Sequence, residues 1–110
     1  MIQLKKRDII KKNQEFQHII NNGKFVKNRF FSVYFVNADK CMYGISVPKK
    51  TGNAVLRNKI KRQIKNIIDH NKKYIQNNRH YVIIIKRSVL DLSYKQCEAN
   101  LLDLFMKISY

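Results

Sequence analysis

Residues 49–65, KKTGNAVLRNKIKRQIK, constrain the fold most, because one side of this stretch must be buried and the other side cannot be. At about 100° per residue, Leu56, Ile60, Ile64, Ile67 and Ile68 fall in a single apolar stripe. Asn58, Lys61, Arg62, Lys65 and Asn66 fall opposite, with Lys59 on one border and Arg57 on the other. The spacing predicts a surface helix entered from a loop over Lys49, Lys50, Thr51, Gly52 and Asn53. Asn53 is the expected N-cap, since a short amide side chain accepts from the N–H groups of the first turn. Pro48 favours an extended chain just upstream.

The same stretch holds seven Lys or Arg residues and no acid, and the nearest acids are Asp39 and Asp69. A helix that only has to stay soluble mixes signs, because opposite charges at i,i+4 stabilise it. Here the polar face is a comb of cations. Lys49 and Lys50 add to it beside the helix N-terminus, where exposed N–H groups already favour an anion. A polyanion lying along the comb is the natural partner. The candidate nucleic-acid contacts are therefore Lys49, Lys50, Asn53, Arg57, Asn58, Lys59, Lys61, Arg62 and Lys65. The whole chain agrees: net charge is +16 and the pI about 10.1. Abundant Lys, Asn and Ile fit AT-rich coding, which accounts for lysine over arginine but not for only seven acids. With 110 residues, 45% of them hydrophobic, the chain suits one small domain with one core.

Residues 1–12 are basic and read as extended. Asn13 is placed to cap a short helix carrying Phe16, Ile19 and Ile20 on one side and ending at Asn22-Gly23. On spacing alone Phe16 reads as core. Phe25 to Asn37 is a strand region. From Phe30 it alternates, with Phe31, Val33 and Phe35 on one face and Phe30, Ser32, Tyr34 and Val36 on the other. The second face, with Ser32 and the Tyr34 hydroxyl, suits a partly open cleft floor. Asp39-Lys40 reads as a turn and Met42 to Val47 as the strand paired across it. Gly44 and Ser46 keep one face of that strand small, which fits either a ligand lying on the sheet or tight helix packing over Gly44. Residues 69–79 are polar, a fraying helix end or a loop. His80 to Lys86 is apolar on both faces and belongs in the middle of a sheet. Ser93 and Gln96 form a capping box for a last helix, with Cys97, Leu101, Leu104, Phe105 and Ile108 as its buried stripe. The order α-β-β-(β)-α-β-α predicts an α/β sandwich, one sheet packed by helices.

No chemistry is legible in the chain. Asp8, Glu15, Asp39, Asp69, Asp91, Glu98 and Asp103 are scattered, and His18, His70 and His80 do not fall at metal-ligand spacing. Asp69-His70 is adjacent but reads as a solvated pair at a helix end. Motifs for a serine nucleophile, a P-loop or a zinc protease are absent. Cys41 and Cys97 lack metal-site spacing and read as reduced thiols. Lys5, Lys6 and Arg7 are followed by Asp8, Lys11 and Lys12 rather than by an apolar run, so no signal peptide is expected, and no run is long enough to span a membrane.

GNAVLRNKIKR, preceded by SVPKK, closely resembles the signature of the bacterial ribonuclease P protein subunit. That family carries Gly-x-Ala-Val-x-Arg-Asn-Arg-x-Lys-Arg on its second helix. Gly52, Ala54, Val55, Arg57, Asn58, Lys61 and Arg62 match it, and Lys59 replaces the usual Arg, keeping charge without the planar fork. LKKRDIIKKNQEFQ resembles the family's opening, NRFFSVYF its first long strand and LFMKISY its closing helix. The resemblance implies a single RNA-binding domain over 1–110, with a left-handed β-α-β crossover where most are right-handed. It implies a cytoplasmic, monomeric subunit of a ribonucleoprotein whose partners are the catalytic RNA and precursor tRNA, with no catalytic or metal-binding residue of its own. The RNA, with Mg2+ held mainly by its phosphates, would remove the 5′ leader. The resemblance also places Phe16, Ser32, Tyr34, Gly44 and Ser46 along a cleft for the single-stranded leader, with Tyr110 as a last cleft aromatic. Ile20 stands where members often have a second aromatic, which removes one flat face for stacking.

Charge and pattern alone also fit a structural RNA-binding protein of ribosomal type, and the GNAVLRNKIKR run separates the two. A DNA-reading helical module predicts a compact helical motif, whereas this chain commits half its core to strands. Membrane-surface binding would turn the apolar stripe to lipid, yet the strands need it.

Overall fold

The computed structural model describes residues 9–10 and 12–108. Its elements are α1 (Asn13–Asn22), β1 (Lys24–Lys27), β2 (Phe31–Asn37), β3 (Met42–Ser46), α2 (Ala54–His70), β4 (Arg79–Ile85) and α3 (Tyr94–Ile108). Short 3-10 turns stand at Lys49–Thr51, Lys72–Tyr74 and Arg87–Asp91. The strands form one four-stranded sheet in the order β1-β2-β4-β3. β1 and β4 run antiparallel to β2, and β3 runs parallel to β4.

The expected α/β sandwich is present. Phe31, Val33, Tyr81, Ile83 and Ile85 face α2 and α3 and are fully or almost fully buried with Ile60, Ile64, Ile67, Ile68, Leu101, Leu104 and Phe105. Tyr81 sits in an aromatic cluster there, stacked on Tyr43 at 5.7 Å and edge-on to Phe105 at 5.3 Å. Its hydroxyl donates to the Gln76 carbonyl at 2.8 Å, so the ring is buried without orphaning the oxygen. α1 lies on the other face of the sheet, where Ile10, Ile19 and Val82 form a second, smaller core with Phe16, Ile20, Tyr34, Val36, Met42 and Ile84 around it.

Local signals in the sequence map directly onto the elements. Asn53 caps α2, its Oδ1 accepting from Leu56 N–H at 2.9 Å. Ser93 Oγ accepts from Gln96 N–H at 3.2 Å while Gln96 Oε1 accepts from Ser93 N–H at 2.9 Å, closing the capping box of α3. Gly23 ends α1 where the chain turns into β1. A Cβ there would come within 2.5 Å of the Ile19 carbonyl oxygen and 2.7 Å of that of Phe35, both backbone atoms that cannot yield.

Two local expectations are corrected. Asn13 is the first residue of α1 and not its cap; Lys12 holds the N-cap position, with no side-chain cap bond. Strand β3 follows the turn at Asp39-Lys40 but does not pair with β2. β4 enters between them, because a strand apolar on both faces loses more by standing at an edge than β3 does with Gly44 and Ser46. The β3–α2–β4 unit is thus a parallel crossover between neighbouring strands. Of the basic N-terminal segment, Ile9 bridges in parallel to Tyr43, and Ile10 N–H donates to the Tyr43 carbonyl at 2.8 Å, so extended chain covers part of the β3 edge. Lys5, Lys6, Arg7 and Tyr110 lie outside the described residues.

Candidate RNA interface

The comb on α2 stands as the periodicity requires. Ile60, Ile64, Ile67 and Ile68 are buried, while Asn58, Lys59 and Arg62 are exposed and Arg57, Lys61 and Lys65 half-exposed. Lys49, Lys50 and Asn53 are exposed on the turn that leads into the helix. Arg57 is steered by its own loop, its Nε donating to the Gly52 carbonyl at 3.2 Å. Among the described residues the ion pairs are Lys72–Asp69 at 3.9 Å and Lys107–Asp103 at 3.3 Å. No comb cation is in either pair, so its charge is not neutralised by an acid among the described residues.

The five expected cleft residues come together on the α1 face. Strand register sets Phe25, Tyr34, Val82 and Gly44 in one cross-strand row, and Lys27, Ser32, Ile84 and Ser46 in the next. Phe16 reaches down from α1 onto the first row; a Cβ on Gly44 would lie 2.6 Å from its ring Cζ. Gly44 is therefore buried beneath Phe16, as the helix-packing reading of the small residues expects. At Gly44 the space is filled by the protein's own helix, while toward Ser46 the face is partly open. Tyr34, Ile84 and Ser46 are half-exposed, and Ser32 is buried.

The register gathers further cations that sequence reasoning missed. Lys27 ends β1, Arg29 lies in the turn to β2, and Lys86 and Arg87 follow β4. All four stand at the sheet end from which β3 leaves toward Lys49 and Lys50. Asn28 braces this end. Its Oδ1 accepts from Phe30 and Phe31 N–H at 2.8 and 2.9 Å, its Nδ2 donates to the Asn100 carbonyl at 3.2 Å, and its own carbonyl accepts from Lys86 Nζ at 2.7 Å. These cations come from two short segments nearly 60 residues apart in the chain, 27–29 and 86–87, so no long run in the sequence marks them.

Among the described residues, no group of three His, Cys, Asp or Glu side chains is placed to hold a metal ion. Asp69 is not the solvated partner of His70 that adjacency suggested: its side chain is 6% exposed, with Lys72 as its counter-ion. No helix among the described residues is long and apolar enough to cross a membrane.

The arrangement combines a cationic ridge with a half-covered sheet face that opens toward a basic rim. The family model for ribonuclease P matches residues 4–109. The chain belongs to the ribonuclease P protein family. It is 44% identical to the ribonuclease P protein component of Mycoplasma mycoides over 108 residues, covering 96% of this chain and 99% of that one. It is 36% identical to that of Bacillus pumilus, covering 94% and 90%. Among solved structures, the RNase P protein of Staphylococcus aureus superposes with a TM-score of 0.83 at 40% identity, covering 93% of this chain and 94% of that one. The RNase P protein of Thermotoga maritima gives 0.81 at 26% identity, covering 97% of each. The family thus accounts for the α-β-β-β-α-β-α order.

Proposed function

We propose that this chain is the protein subunit of a ribonuclease P holoenzyme, binding the catalytic RNA and the single-stranded 5′ leader of precursor tRNA. The observation that carries this reading is the juxtaposition of an unneutralised cationic helix with a part-open sheet face that ends in a basic rim. Lys49, Lys50, Asn53, Arg57, Asn58, Lys59, Lys61, Arg62 and Lys65 grip phosphates. The cleft of Phe16, Ser32, Tyr34, Gly44 and Ser46 receives the leader, Phe16 and Tyr34 offering flat faces for stacking.

The reaction is endonucleolytic hydrolysis that frees the leader, and the groups that perform it belong to the RNA. Mg2+ is held mainly by RNA phosphates. The protein contributes by position and charge. Cations brought close to crowded phosphates replace counter-ions and relieve repulsion, so less magnesium is needed for the folded, substrate-bound state. The protein works as a monomer in the cytoplasm. The ribosomal-type alternative shares the charge but has no need of a leader-sized cleft.

Equilibrium binding to the catalytic RNA, with and without this protein, tests the reading. The protein should strengthen binding of leader-bearing precursor clearly more than that of mature tRNA. Equal strengthening of both would remove the cleft from the account and leave a general RNA-binding protein.

A further inference from the structure

Phe25 is an anomaly on the surface. It lies on the edge strand β1 and is 53% exposed, a large apolar ring offered to water on a protein of charge +16. It pairs across the sheet with Tyr34, and the two ring centroids are 5.3 Å apart with planes inclined by 31°. Two residues on, Lys27 is exposed on the same face. Ile20 on α1 has no flat face to offer, so the aromatic surface of this side runs from Phe16 and Tyr34 outward to the sheet edge.

We infer that Phe25 extends the stacking floor beyond Tyr34, taking one further base of a single-stranded RNA while Lys27 holds the adjoining phosphate. This deepens the leader reading above and rests on it. The chemistry asks for an unpaired base: a ring standing half clear of an edge strand accepts a base face, which a duplex keeps stacked inside. It also asks for an anion beside the base, since a cation accompanies the ring on the same face. If Phe25 served only to pack against Tyr34, an aliphatic chain of similar bulk would cover the same contact.

The test uses holoenzyme reconstituted with a ribonuclease P RNA and precursor tRNAs whose leaders are lengthened one nucleotide at a time, 2-aminopurine replacing each leader base in turn. Wild type and Phe25→Trp should gain affinity as the leader reaches the outer base, and quench 2-aminopurine there. Phe25→Leu, which keeps apolar bulk without a flat ring, should lose on the order of fivefold in affinity for leaders that reach that base. It should also restore the fluorescence and leave short-leader precursor unaffected. Retention of both the gain and the quenching in Phe25→Leu would overturn the assignment, as would an equal loss on mature tRNA, which would mark a structural role. Absence of any leader dependence in wild type would instead bring down the leader reading itself, and this inference with it.

Discussion

At the scale of single residues, the sequence reveals what each side chain is but not which side chains it meets. Asn53 as helix cap and the Ser93–Gln96 pair were legible because a cap is a contact within one turn. The Phe25–Tyr34 pair was not, because it depends on register; helix packing over Gly44 was one of two open readings, and that Phe16 supplies it depends on where α1 crosses the sheet. Asp69 misled for the same reason: its neighbour in sequence is His70, but its counter-ion is Lys72, one turn along. Arg62 stands exposed and takes no part in the ion pairs among the described residues. Arg62→Ala should weaken RNA binding and reduce the slope of log affinity against log salt by up to about 1, the loss of one phosphate contact. A salt titration of binding checks this, and an unchanged slope would take Arg62 out of the phosphate-binding set.

At the scale of elements, periodicity carried the reading a long way. The stripes of α2 and α3 and the two-sided apolar β4 each specify their own burial, so these elements and their buried faces could be read directly. Strand order could not. A turn at Asp39-Lys40 suggests a hairpin, and only the competition for the central slot, won by β4, separates β2 from β3. Asn28 escaped notice because its importance lies in four bonds, two that close the β1–β2 turn on Phe30 and Phe31 and two that tie it to α3 and to the end of β4. Asn28→Ala leaves two backbone N–H groups without their acceptor and should cost about 1–3 kcal/mol in urea unfolding. Asn28→Asp, which keeps the acceptor, should recover much of it; equal losses would mean that the donor bond to Asn100 matters more.

Over the whole molecule, a single fold reconciles two demands: a core dense enough for 110 residues and a surface carrying net charge +16. The sheet's two faces divide the labour, one closed by α2 and α3 and one only partly covered by α1. Burial pushes the Cys97 thiol up from its ordinary value of 9.0. The unfolded chain therefore loses that proton first as pH rises, so stability is full below that value and falls above it. Lysine titration changes the charge repulsion over the same range, so the comparison must be with Cys97→Ala. The advantage of wild type over this variant should shrink in urea unfolding as the pH passes about 9; a constant difference would show that the thiol does not contribute.

The central claim is that this protein supplies charge and position to an RNA that does the chemistry. Cleavage of a 5′-extended precursor tRNA by a ribonuclease P RNA, followed across a magnesium titration with and without the protein, tests it most directly. The account predicts that the protein moves cleavage to markedly lower magnesium and that protein alone cleaves nothing. Tight binding to the RNA with no shift in the magnesium requirement, using a cognate RNA, would contradict it.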